Sequence, residues 1–130
     1  MQRCVLYSKC HRATVTAADL HYEGSLSLDP ALMKACGWVN HEKIQVVNIT
    51  NGARFETYLI PAEVSNTGIL QLNGAAARLS QVGDLVIIMS YVWLPESALT
   101  SWQPKVVQVD AKNSPLHPQM DLTKSPCPTV

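Results

Sequence analysis

The chain has 130 residues, a length typical of one domain, and 47% of them are hydrophobic, enough for a substantial core. Its formal net charge is zero, which argues against nucleic acid as a partner. Because it contains neither an apolar run long enough to cross a membrane nor a secretory-type N-terminus, we predict a cytoplasmic protein without a membrane partner.

Most of the sequence has the pattern of β-strands, in which β-branched residues alternate with polar ones. Strands are predicted within residues 3–16, 42–50, 53–60, 68–72, 84–94 and 104–110. Asn51-Gly52, between the second and third of these, is a strong signal for a hairpin turn. The apolar run 84–94 indicates a strand buried on both faces. The regular spacing predicts a mainly β protein, built as a small barrel.

Two short helices interrupt the predicted strands. Asp29 can cap the first helix, Pro30 suits its first turn, and Gly37 can end it. The second helix is predicted to begin near Asn73-Gly74 and to run through the alanines that follow.

The C-terminal segment and the cysteines add no second site. Residues 113–130 are rich in proline and lack periodicity, so we expect a flexible tail after a single domain of residues 1–112. The four cysteines form no C-x-x-C pair, which predicts reduced thiols and no metal site.

Several polar residues on the predicted strands could carry chemistry: Lys9, His11, Arg12, Arg54, Thr57 and Tyr58. Because side chains alternate along a strand, Lys9 and His11 share one face, and Arg54 and Tyr58 share a face that excludes Thr57. The basic residues could bind an anionic ligand, but they are also typical of a solvated strand. Arg54 and Tyr58 could likewise be a surface pair with a half-buried aromatic ring.

Two stretches outside these strands bring small or flexible residues together. Gly24-Ser25 places a hydroxyl beside a carbonyl on a flexible backbone, as an intramolecular acyl shift requires and as many ordinary loops also do. Asn73-Gly74-Ala75-Ala76, at a predicted helix start, could receive a carboxylate or oxyanion on its N–H groups, or could form a tight packing corner. The residues alone leave these alternatives open.

Three segments, taken in this order and at these separations, resemble the aspartate 1-decarboxylase family. They are KCHRATVTAADLHYEGSLSLD at 9–29, NITNGARFETY at 48–58 and LNGAAARLSQVGDLVII at 72–88, within a resemblance that covers about residues 1–110. The resemblance implies a double-psi β-barrel and a homotetramer whose active sites lie between subunits.

The resemblance also implies that the chain is made as a proenzyme and cuts itself between Gly24 and Ser25. The Ser25 hydroxyl would attack the Gly24 carbonyl, and Thr57 would donate to the oxygen that becomes negative. The products would be a β-chain of residues 1–24 and an α-chain that begins at residue 25 with a pyruvoyl group made from Ser25. Some members of the family need a maturation factor for this step.

The implied reaction is the decarboxylation of L-aspartate to β-alanine, a precursor of pantothenate and coenzyme A. The covalent pyruvoyl cofactor would form a Schiff base with the substrate amine and accept the electrons left by CO₂. Tyr58 would then protonate the substrate carbon. The residues implied in substrate binding are Lys9, His11, Arg54, Thr57, Asn73, Gly74, Ala75 and Ala76.

Two other classes of function remain open at this point. In an N-terminal nucleophile hydrolase, cutting before Ser25 would release an amine and a hydroxyl as the catalytic pair. A non-catalytic barrel that binds a small acid or a partner would stay intact. The three classes differ in the group at residue 25, which is a ketone, a free amine or an ordinary peptide link.

Overall fold

The structure, a computed structural model, describes residues 1–116. It contains eight strands, one α-helix and two short 3₁₀ helices. The strands are β1 Gln2–Thr14, β2 Ala17–Asp19, β3 Ser25–Leu28, β4 Lys43–Asn48, β5 Arg54–Pro61, β6 Leu70–Asn73, β7 Leu85–Pro95 and β8 Lys105–Gln108; helix α1 is Pro30–Cys36, and the 3₁₀ helices are Gly74–Leu79 and Glu96–Ser101. The prediction of a mainly β protein with short helices is therefore confirmed.

All eight strands form one sheet, in the order β2-β6-β3-β5-β4-β7-β1-β8. The pairs β2/β6, β3/β5 and β1/β8 are parallel, so their connections must cross the sheet, whereas the other neighbours are antiparallel. Thr16 joins β1 to β2 and exchanges hydrogen bonds with Leu70 of β6, at 2.9–3.2 Å. Strands near opposite ends of the order are thus continuous in the chain, and the sheet curls around one core.

The core is built from the inward-facing aliphatic residues of the central strands together with helix α1. Its largest fully buried members are Leu26, Leu28, Leu32, Ile44, Leu59, Leu70, Leu72 and Ile88. Leu26 of β3 has Leu59 of β5 on one side and Leu72 of β6 on the other. The outward-facing residues of the same three strands alternate with these, and they include the candidate site.

The local signals for the first helix are confirmed. The Asp29 carboxylate accepts from the Ala31 N–H at 2.9 Å, Pro30 occupies the first turn, and Gly37 ends the helix in the left-handed region with φ 75°. Asp29 also accepts from the N–H groups of Asn66 and Gly68, both at 2.9 Å, so one carboxylate ties the helix start to the loop before β6.

The predicted turn at Asn51-Gly52 is also confirmed, inside a longer connection. Gly52 has φ 81°, and its N–H donates to the Asn48 carbonyl at 2.8 Å. The Asn48 side chain fixes the turn from within, because its Oδ1 accepts from Thr50 and Asn51 while its Nδ2 donates to Asp84 at 2.9 Å.

Strand β7 differs from its prediction. Val86, Ile87 and Ile88 are buried, but Tyr91 is 45% and Trp93 is 67% exposed. The prediction that this strand is buried on both faces is therefore wrong for its second half in the single chain. An uninterrupted apolar run does not distinguish a core strand from one that projects its end beyond the core.

The end of the described chain is attached to the barrel. The buried Asn113 side chain donates to the carbonyls of Thr14 and Gly68 and accepts from the Thr14 N–H, all at 2.8 Å. The rest of the predicted flexible tail, residues 117–130, lies outside the described residues. Within residues 1–116, no helix has the length and apolar character that crossing a membrane requires.

Candidate active site

Ser25 is the first residue of β3 and is only 1% exposed. In the antiparallel pairing with β6 it lies opposite Asn73, which is fully buried. Gly24, just before the strand, has open space on the side where a Cβ would point, because a Cβ built on it would meet nothing within 4 Å. Ser25 is thus held by the sheet, whereas the peptide link that joins it to Gly24 precedes the strand.

The hydroxyl of Ser25 has a partner on either side. It donates to the Glu23 carbonyl at 3.0 Å and accepts from the Asn73 Nδ2 at 2.9 Å. Both partners are uncharged, and each constrains the direction in which the oxygen points. Ser25 and Asn73, which the sequence analysis singled out separately, are therefore brought together.

Gly74 lies against the Gly24 backbone. It has φ 66°, and a Cβ built on it would lie 2.7 Å from the Gly24 Cα and 2.8 Å from the Gly24 nitrogen. Such distances leave no room for a side chain, so residue 74 must be glycine for this approach. Asn73 and Gly74 thereby lie beside Ser25 and Gly24, respectively.

The predicted helix after Asn73 is present as the 3₁₀ helix Gly74–Leu79. Asn73 stands before it with an extended backbone and uses its side chain on β3 instead of capping the helix. Ala75 is exposed and Ala76 is half-buried against the core. The first N–H groups of such a helix have no acceptor inside it, which leaves them available as donors.

Tyr58 and Thr57 reach the same region through β5. Because β3 and β5 pair in parallel with Leu26 beside Leu59, the same register continued toward the N-terminus aligns Ser25 with Tyr58 and Gly24 with Thr57. Side chains alternate along β5, with Tyr58 exposed and Thr57 half-buried. The predicted opposite orientation of these two side chains is confirmed.

Arg54 begins β5 and lies on the outer face that carries Tyr58. The two are four positions apart, or roughly 13 Å along a strand. Among residues 1–116, Arg54 forms no ion pair; the two present are Arg3–Glu96 and Lys43–Glu56. Its guanidinium is thus available to an anion, at some distance along the strand from Ser25.

Lys9 and His11 are not brought to Ser25 within one chain. Both lie on β1, which β7, β4 and β5 separate from β3 in the sheet. They are 7% and 8% exposed, while Arg12 is exposed at a β-bulge where its φ is 65°. No hydrogen bond or ion pair of the described chain joins either residue to the Ser25 region.

His11 is electrostatically unusual. Its Nδ1 is buried without a hydrogen-bond partner among residues 1–116. Burial lowers its pKa below the usual value, and the nearby charges of Lys9 and Arg12 lower it further. The ring is therefore neutral at pH 7, and it can accept or relay a proton but does not supply a permanent charge.

Two polar residues at the site were missed by the sequence analysis. Gln71 donates to the Asn73 Oδ1 at 2.8 Å, and Ser27 accepts from the Asn73 Nδ2 at 3.0 Å. The available signal was their spacing, because each lies two residues from Ser25 or Asn73 on a strand and so shares its face. Within residues 1–116, no three side chains of His, Cys, Asp or Glu cluster in a way that could hold a metal ion.

Comparison with known proteins gives a family match over this whole region. The model of the family described as aspartate decarboxylase matches residues 1–116. The match contains all the residues of the site.

Individual relatives are similar over most of their own length. The aspartate 1-decarboxylase of Syntrophobacter fumaroxidans is 53% identical over 116 residues, which cover 89% of this chain and 93% of the relative. That of Syntrophus aciditrophicus is 50% identical over 117 residues, or 90% and 100% of the two chains. That of Caldicellulosiruptor saccharolyticus is 56% identical over 109 residues, or 84% of each.

Proposed function

The chain belongs to the aspartate decarboxylase family, and from this premise we propose that it cuts itself between Gly24 and Ser25 and then decarboxylates L-aspartate. The products are CO₂ and β-alanine, the precursor for pantothenate. The observation that best supports this proposal is the contact of Gly74 with Gly24 beside a buried Ser25 hydroxyl that is held by Asn73.

Self-cleavage begins with the Ser25 hydroxyl. Its oxygen attacks the Gly24 carbonyl carbon, the C–N bond between the two residues breaks, and the hydroxyl proton passes to the nitrogen, which becomes an amine. An ester then joins the two residues. Loss of the Ser25 Cα proton and rupture of its Cβ–Oγ bond release Gly24 as a carboxylate. Water then replaces the amine, which leaves as ammonia.

The attack places negative charge on the Gly24 carbonyl oxygen, and Thr57 is proposed to donate to it. If the register of β3 against β5 is continued to residue 24, Thr57 falls beside Gly24, and the Thr57 side chain is half-buried. A donor aimed at such an oxygen lowers the barrier by about 3–4 kcal/mol in other enzymes. We assign the self-cleavage site to Gly24, Ser25 and Thr57.

The position of Ser25 fits a pyruvoyl group formed from it. After the cut, residue 25 would be a chain end, but the next residue, Leu26, is fully buried between Leu59 and Leu72. The new terminus would thus be held rigidly by the core. A pyruvoyl group held there would offer a carbonyl to the substrate amine and would supply the electron sink that decarboxylation needs.

Two side chains of β5 are proposed to act on the substrate. Tyr58, aligned with Ser25 and 37% exposed, donates the proton that replaces the carboxylate. Arg54 binds a substrate carboxylate through two N–H groups, as guanidinium geometry favours. The amides of Gly74, Ala75 and Ala76, with Asn73, bind the substrate on the other side of Ser25.

A homotetramer accounts for the residues that one chain leaves apart. Lys9 and His11 are four strands from β3 in the sheet, and Arg54 lies well along β5 from Ser25. We propose that a neighbouring subunit supplies at least Lys9 to each site, as a second charge for the two carboxylates of aspartate. His11 assists as a neutral ring. A maturation factor remains a proposed further partner for the cutting step.

Intact-mass spectrometry tests the proposal. The purified chain is incubated warm, once alone and once with an extract of a bacterium whose own enzyme of this family needs a maturation factor. L-Aspartate is then added. We expect two masses that correspond to residues 1–24 and 25–130, with the larger lighter by one ammonia than a serine-terminated chain. Ser25→Ala, the matched control, stays whole and releases no CO₂.

The other outcomes have distinct meanings. A free serine at residue 25 would indicate an N-terminal nucleophile hydrolase. A single uncut mass in both incubations would indicate a non-catalytic barrel, and would overturn the proposed function. Release of β-alanine from L-aspartate by the cut protein completes the test.

A further inference from the structure

Four polar side chains form a square on the outer face of the β3/β6 pair. Ser25 lies opposite Asn73, and Ser27 lies opposite Gln71, with the core residues Leu26 and Leu72 between the two rows. Residues two apart on a strand share a face, so all four side chains point the same way. Only Ser25 and Asn73 have a place in the proposed reaction.

Asn73 is at the centre of the hydrogen bonds in this square. Its Oδ1 accepts from the Gln71 Nε2 at 2.8 Å. Its Nδ2 donates to the Ser25 Oγ at 2.9 Å and to the Ser27 Oγ at 3.0 Å. Each end of the buried carboxamide therefore has a partner that suits it.

The two ends of a carboxamide have nearly the same shape, so partners decide which end faces Ser25. If the Asn73 group were turned over, its oxygen would face the Ser25 hydroxyl. That hydroxyl has one proton, which it already gives to the Glu23 carbonyl. With its Nε2 directed at Asn73, as in the structure, Gln71 disfavours this arrangement, because it donates to the Asn73 oxygen on the side away from Ser25.

We propose that Gln71, supported by Ser27, is a positioning residue for self-cleavage, which it serves by keeping the Asn73 N–H donor directed at the Ser25 oxygen. This rests on the proposed cut at Gly24-Ser25. During the cut the Ser25 oxygen leaves its Cβ with the bonding electron pair and becomes part of the Gly24 carboxylate. A donor directed at that oxygen stabilises the charge, whereas a carbonyl oxygen in its place would oppose it.

Substitutions of Gln71 can change its hydrogen bonding without disturbing the core. It is half-buried and borders an open groove of about 370 Å³ that Ser27 and Tyr22 also line. A charged end at residue 71 can therefore reach solvent, and the core beneath is unchanged.

The test compares substitutions at residue 71 that differ in hydrogen bonding. Lysine can only donate, leucine can do neither, and an ionised glutamate can only accept. We expect Gln71→Lys to cut at close to the unsubstituted rate, Gln71→Leu more slowly, and Gln71→Glu slowest, by about tenfold for one lost hydrogen bond. Ser27→Ala should slow the cut slightly, since one of two acceptors remains.

The rate is followed by intact mass, and thermal unfolding is measured in a Ser25→Ala background so that every chain is whole. Gln45→Leu is the matched control, because Gln45 is another half-buried strand glutamine with one side-chain hydrogen bond, to Tyr91 at 2.8 Å. It should cut normally. Rates that follow stability instead of donor character, or Gln71→Glu as fast as Gln71→Lys, would overturn the inference. An uncut unsubstituted chain would instead refute the proposed function.

Discussion

Gly74 and Gly24 are in backbone contact, although they are fifty positions apart in the chain. The contact exists because β6 pairs with β3 up to Ser25 and Asn73, and the chain then turns at Gly74, with φ 66°, against the nitrogen and Cα of Gly24. The contact by itself explains why residue 74 is glycine, because a Cβ at this position would collide with the Cα and nitrogen of Gly24.

Gly74→Ala should therefore stop or strongly slow self-cleavage. The left-handed backbone alone costs a residue other than glycine about 1–3 kcal/mol, and the collision displaces Gly24 as well. Gly52→Ala is the matched control, because Gly52 has φ 81° but open space around its Cβ position. We expect it to lower the free energy of unfolding without changing the rate of the cut. Equal rates for the two variants would contradict the importance of the contact.

Thr57 and Tyr58 should separate the two stages of the reaction. Thr57→Val removes the proposed donor to the Gly24 oxygen and should slow the cut by about 10²–10³-fold. Tyr58→Phe should leave the rate of self-cleavage unchanged and lower kcat by about 10²–10⁴-fold, the usual contribution of a general acid. Intact mass reports the first effect, and CO₂ release by the cut protein reports the second. Normal turnover by Tyr58→Phe would remove this residue from the mechanism.

Arg54→Ala should weaken the use of L-aspartate without changing the fold. The side chain is exposed and forms no ion pair within residues 1–116, so the melting temperature should not move. Loss of a hydrogen bond between charged groups, about 1.5–3 kcal/mol, should lower kcat/KM by about 10–100-fold. Arg54→Lys should recover only part of this, because lysine lacks the two-pronged geometry.

Arg3→Ala is the control for this experiment, as it removes another exposed arginine, one that pairs with Glu96 at 2.8 Å. It should retain full activity. If it lost as much activity as Arg54→Ala, a general charge effect would explain both results.

His11 should make stability depend on pH. Its pKa in the folded chain is lowered by burial and by the charges of Lys9 and Arg12. Below about pH 6.5 the unfolded chain binds a proton that the folded chain binds only at lower pH, so the free energy of unfolding falls as the pH decreases through this window. Above that pH the effect disappears.

The comparison of Ser25→Ala with Ser25→Ala/His11→Gln isolates this contribution, because both chains stay whole and glutamine does not titrate. Urea unfolding from pH 8 to pH 5 should show a steeper loss of stability in the chain that keeps His11. Parallel curves would show that His11 is not protonated differently in the folded and unfolded states.

The sequence predicted the features that local chemistry controls. Asp29, Pro30 and Gly37 define a helix through their own backbone and side-chain preferences, and Gly52 allows its turn for the same reason. The spacing of Arg54, Thr57 and Tyr58 also predicted their faces, because alternation is a local property of a strand.

Features that depend on distant pairing could not be predicted this way. The four residues of β3 form a strand only because β5 and β6 lie on either side of them. Gln71 becomes important only through Asn73 and the two serines across the strand pair. The exposure of the end of β7 could not be predicted either, since an apolar side chain does not indicate where the core stops.

The position of the proposed cut has a consequence for how the mature protein persists. Residues 1–24 contain β1, which pairs with β7 from Gln2 to Thr14 and with β8 from Ser8 to His11. After the proposed cleavage this fragment would be a separate molecule that only hydrogen bonds and packing retain. Each barrel would then be a two-chain complex, so re-forming even a single barrel after denaturation would depend on protein concentration, whereas the barrel of an uncut precursor can re-form from one chain.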